Sequence, residues 1–86
     1  MTIPTTEEDI LSAAEAEGVV LSAILSPAAN IIEVLKALLA QDQESPIATA
    51  KLELMAGAAQ YIATHNSYGY GDVAVQTLID IESRLP

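Results

Sequence analysis

Apolar positions recur at helical spacing along most of the chain, and polar or glycine-rich breaks divide them into four segments. The first opens at Thr5 and Thr6, whose hydroxyls can accept from the free N–H groups of a helix start. Glu7, Glu8 and Asp9 follow, placing negative charge where the helix dipole favours it, and Thr5 with Glu8 has capping-box spacing. Helix 1 is predicted to reach about Glu17, or to run through Gly18 as far as Leu25. Val19, Val20, Leu21, Ile24 and Leu25 carry the apolar stripe onward in that case.

Two Ser-Pro pairs mark the next starts. In Ser26-Pro27 and Ser45-Pro46 a hydroxyl stands at the N-cap and a proline at the first helical position, where its missing N–H costs nothing. Helix 2 is therefore expected over 27–41, with Ile31, Ile32, Leu35, Leu38 and Leu39 inward and Asn30, Glu33, Lys36 and Gln43 outward. The short polar link Asp42-Gln43-Glu44 predicts antiparallel packing onto helix 3, expected over 46–64. The stripe of helix 3 reads Ile47, Ala50, Leu54, Ala58 and Tyr61, broadened by Met55, Ala59 and Ile62. Within it, Ala56-Gly57-Ala58-Ala59 is small enough to admit a closely crossing helix.

His65 to Gly71 breaks the pattern. Asp72 is a candidate cap for a fourth helix over 72–84, with Val75, Leu78, Ile79 and Leu85 on one side. The alternation Val73, Val75, Thr77, Ile79, Ile81 would also suit a strand, but a lone strand would have no partner, so helix is the expectation. The whole is predicted to be one all-α domain, 1–86, a bundle of three to four helices.

Composition adds an oligomer to this picture. Twenty-four of the 86 residues are Ile, Leu or Val, with no Phe, Trp or Cys. A domain of this size buries only about 60–65% of the surface its unfolded chain exposes. Part of this aliphatic surface is therefore expected to be covered by another copy of the chain. The surfaces expected to make contact are Ile31, Leu35, Leu38 and Leu39 on helix 2, Gly57, Ala58 and Tyr61 on helix 3, and Tyr68 and Tyr70 in the loop.

Charge narrows the partners. Net charge is −9, with Lys36, Lys51 and Arg84 the only Lys or Arg residues. Such a field opposes direct binding to nucleic acid or to an anionic membrane. Glu7, Glu8, Asp9, Glu15 and Glu17 form a base-free acidic surface at the N-terminal end, suited either to solubility or to a basic partner. The apolar stretch from Gly18 to Ala40 is long enough to span a bilayer. However, it contains Pro27, Asn30, Glu33 and Lys36, so a buried pair of helices is expected instead. MTIPTTEEDI lacks a basic segment leading into an apolar run, so a cytoplasmic protein (or one carried in a viral particle, by analogy of size) is expected rather than a secreted one.

Candidate chemistry is sparse. His65, Ser67 and Asp72 share one loop, whereas a hydrolase assembles nucleophile, base and acid in mutual contact. His65 is expected instead to bond the last carbonyls of helix 3. Consecutive carboxylates at 7–9 diverge around a helix and do not make a metal site. Tyr68-Gly69-Tyr70-Gly71 has the wrong spacing for a phosphate loop and suits either a contact loop or a cover for the bundle end. No catalytic residue, metal or cofactor is expected. The pattern points to a non-enzymatic, self-associating subunit or adaptor that acts by protein contact. The alternative is an acidic mimic of nucleic acid that blocks a nucleic-acid-binding enzyme.

Overall fold

Of the chain, a computed structural model describes residues 3–19, 26–40, 48–65 and 69–84. Among these residues there are four helices and no strand: α1 (Glu7–Ala16), α2 (Pro27–Leu39), α3 (Thr49–His65) and α4 (Gly71–Arg84). The all-α bundle is thus observed, and 73–81 is helix. The Ser45-Pro46 start lies outside the described residues, as do 20–25, Gln43, Ile47, Ser67, Tyr68 and Leu85.

Local chemistry explains the ends. Thr6, not Thr5, caps α1: its backbone is extended and its hydroxyl accepts from the Asp9 N–H at 3.2 Å. The cap thus falls one residue after Thr5, the position that the spacing of Thr5 with Glu8 suggests. Gly18 ends α1 rather than continuing it, with φ of 82°. The Val19 N–H donates to the Ala14 carbonyl and the Gly18 N–H to the Glu15 carbonyl, both at 3.0 Å. That pair of bonds is a Schellman close, which needs the left-handed residue that glycine supplies. Ser26 caps α2 as its sequence predicts, accepting from the Ala29 N–H at 3.3 Å ahead of Pro27. At α4 the cap position falls to Tyr70, whose carbonyl accepts from Ala74 at 3.0 Å. Asp72 sits one residue inside the first turn, where its charge still meets the dipole.

α3 is the centre of the bundle. Leu52, Leu54, Met55, Ala56, Gly57, Ala58, Ala59 and Ile62 are all buried, which places apolar residues around most of its circumference. A helix apolar on all sides must be enclosed. α1, α2 and α4 enclose it, α1 also meets α2, and α4 packs chiefly on α3. α2 contributes Ile31, Ile32, Val34, Leu35 and Leu38, while α1 adds Ile10 and Ala14. Asn30 and Glu33, expected outward, are half-buried, whereas Lys36 is exposed.

Within the small patch on α3, Gly57 meets a neighbour other than the helix expected. At Gly57 the extended N-terminal segment crosses, not a helix: a Cβ there would overlap the Pro4 carbonyl oxygen and lie 3.1 Å from Pro4 Cγ. Ile3 packs on the core beside it. The Cα radius of gyration, 11.7 Å, matches the ~12 Å expected of a single folded chain this long.

Candidate functional site

The residues singled out for contact separate into three groups. Ile31, Leu35, Leu38 and Ala58 are at most 2% exposed, and Gly57 lies under Pro4. They are engaged by the chain's own helices and offer no surface to a second copy. Leu39, Tyr61 and Tyr70 are half-buried against the same core. Tyr68 lies outside the described residues.

Tyr61 ties α3 to α1. Its hydroxyl donates to Glu7 Oε2 at 2.7 Å across 54 residues of sequence. One turn on, the His65 ring stacks on it at 4.1 Å between centroids, and His65 Nδ1 bonds the Tyr61 carbonyl at 2.9 Å. His65 thus bonds back one turn into α3 rather than to the terminal carbonyls that its position suggests. Glu7, counted with the acidic surface, is instead part of a tertiary bond. The other four, Glu8, Asp9, Glu15 and Glu17, are exposed.

The bond to Glu7, together with burial and the carboxylate's charge, raises the Tyr61 pKa above its ordinary value. A phenol harder to ionise when folded stabilises the fold in full below about pH 10, and that contribution is lost as pH rises through the raised folded value. Replacing Tyr61 by Phe is expected to cost about 1 kcal/mol near neutrality. The gap between the two proteins should close above pH 10 in urea melts followed by circular dichroism. A gap that stays constant to pH 12 would mean Tyr61 does not donate to Glu7.

Tyr70 stands immediately before α4. It packs on the core, and Lys36 Nζ lies 5.1 Å from its ring centroid, within cation–π range. Arg84 pairs with Asp80 at 3.2 Å, and Lys51 is engaged as well.

The surface left apolar is on α4. Val75, Leu78 and Ile79 do lie on one side of α4, but the residues it buries are Ala74, Thr77 and Ile81, with Leu78 half-buried. Short side chains at 74 and 77 let α4 sit close on α3, and Thr77 satisfies its hydroxyl on the Val73 carbonyl at 2.7 Å. Val73, Val75 and Ile79 are left 45%, 48% and 56% exposed, and these are all the large hydrophobic residues exposed among the described ones. Val75 and Ile79 are one turn apart beside Leu78, with Asp72 and Glu82 at the two ends of the strip. Period fits both stripes, and side-chain bulk favours Val75, Leu78 and Ile79 as the buried one. The signal for the other choice is the small-residue line Ala74-Thr77, which spacing arguments pass over.

Nothing else among the described residues assembles chemistry. No three His, Asp or Glu side chains converge there, and no helix is long and apolar enough to cross a membrane. An open groove of about 240 Å³ between α1 and α3, beside Pro4, Ala13, Glu17, Glu53 and Leu54, has an apolar floor. Another of about 480 Å³ runs along Leu11, Ser12, Glu15 and Val19. Neither brings together a nucleophile and a base. Comparison with protein-family models, with curated proteins and with solved structures finds no match for the chain.

Proposed function

We propose that this chain is a non-enzymatic acidic helical protein that acts by protein contact, as an accessory subunit or adaptor. One observation carries the reading: of the three large apolar residues exposed among the described ones, Val75 and Ile79 stand one turn apart on the outer face of α4, with half-buried Leu78 beside them. Scattered surface aliphatics need no explanation, whereas clustered ones mark interaction surfaces. The contact surface is thereby moved from α2 and the small patch of α3, which the chain's own core occupies, to the outer face of α4.

The nucleic-acid mimic is the second reading, and the exposed carboxylates Glu8, Asp9, Glu15 and Glu17 favour it. It uses α1, not α4, so one comparison separates the two. The chain is immobilised as wild type, as Val75→Asp/Ile79→Asp and as Glu8→Lys/Glu15→Lys, and exposed to extract from its native source. Protein contact through α4 requires a partner held by the wild type and the α1 variant but lost from the α4 variant. Loss from the α1 variant alone supports mimicry. Equal retention by all three would take the contact off α4, and retention by none would defeat the contact reading.

A further inference from the structure

We infer that the outer face of α4 docks a basic amphipathic helix from another protein, with Val75 and Ile79 as the apolar anchor and Asp72 and Glu82 as its charged ends. The inference rests on the protein-contact reading and adds the chemistry of the partner.

Geometry supplies the groove filler. Val75 and Ile79 are an i, i+4 pair on one helical face, and half-buried Leu78 extends them toward the bundle. An apolar strip of this shape is complementary to another helix that presents i, i+3, i+4 and i+7 side chains.

Charge excludes the second copy as that helix. An antiparallel copy that sets Val75 against Ile79 also sets Asp72 against Glu82 at both ends of the contact. A parallel copy sets Asp72 against Asp72 and Glu82 against Glu82. Like charges meet in either register, and the nearby Arg84 is already drawn to Asp80. Lys36 lies against the Tyr70 ring, and the chain carries a net charge of −9, so a second copy brings an excess of like charge to such an interface. A partner carrying Lys or Arg beside its apolar stripe meets Asp72 and Glu82 with opposite sign, and the long-range field speeds its approach.

The test uses synthetic helical peptides of about 18 residues, titrated into the full chain and followed by amide chemical shifts. One peptide has a Leu stripe flanked by Lys, a second the same stripe flanked by Glu, and a third the Lys composition with the stripe scrambled. The expected result is binding of the first peptide, with shifts centred on Val75, Leu78 and Ile79. Val75→Asp/Ile79→Asp should weaken it by about tenfold or more. Asp72→Lys/Glu82→Lys, which alters only exposed positions, should transfer the preference to the Glu-flanked peptide, and it decides the matter if the first variant fails to fold. Equal binding of the scrambled peptide would overturn the inference, because charge alone would then suffice. So would no binding of the first peptide, or shifts that map away from α4. A chain found by sedimentation to be a dimer that Val75→Asp/Ile79→Asp dissociates would also overturn it, while leaving the protein-contact reading standing.

Discussion

Gly57→Leu is expected to destabilise the chain by about 3 kcal/mol, lowering Tm by roughly 12–24 °C at this size. The position lies under the Pro4 carbonyl, so the first added carbon already collides with backbone, which cannot rotate away as a side chain could. The N-terminal segment must lift, and with it Ile3 leaves the core. Gly57→Ala separates two opposing effects at the same site. Helix propensity favours alanine by about 1 kcal/mol, while the overlap with Pro4 costs about 1–3 kcal/mol, so a net loss is expected. In a chain shortened to begin at Thr5 the overlap is gone, and the same substitution should become stabilising by about 1 kcal/mol. Thermal melts of the four proteins check this. If the sign does not reverse on shortening, the crossing at Gly57 is not made by Pro4.

Leu38→Ala is the second large effect, expected at about 3 kcal/mol from lost burial and the cavity left behind. Leu38 is 1% exposed within the chain itself. The loss should therefore be the same at every protein concentration. Had Leu38 faced a second copy, Tm would rise with concentration and the variant would abolish that rise. Melts across a hundredfold range of concentration distinguish the two. A concentration-dependent difference would return Leu38 to an intersubunit surface.

The two substitutions show which parts of the structure were legible beforehand. Ser26-Pro27 could be read because capping depends on a few adjacent atoms, and α2 begins where that pair predicts. Thr6 in place of Thr5, and Tyr70 in place of Asp72, are errors of register, since neighbouring residues could each have supplied a cap. Gly57 announced a close approach, but a glycine does not say what approaches it; an extended segment 53 positions away (57 − 4) fits as well as a helix. α3 buries apolar residues around most of its circumference, so among the described residues it takes up aliphatic surface that a helix with one apolar face would have left uncovered.

The face of α4 was the least legible. Its bulky residues Val75, Leu78 and Ile79 form a stripe as regular as Ala74, Thr77 and Ile81, and period cannot rank one above the other. The choice is settled by how near α4 comes to α3, a tertiary quantity. The Tyr61–Glu7 bond was likewise unreadable, because nothing local links residues so far apart in the chain.

Lys36, Lys51 and Arg84 all stand within helices. A protease that cleaves after lysine or arginine needs an extended stretch of substrate, so it cannot act at Lys36 or Lys51 until α2 or α3 unwinds locally. When reclosing outpaces cleavage, the cutting rate at each lysine reports the opening equilibrium of its own helix. Trypsin digestion followed by mass spectrometry would thus measure these two helices separately, in the native protein and without any introduced probe.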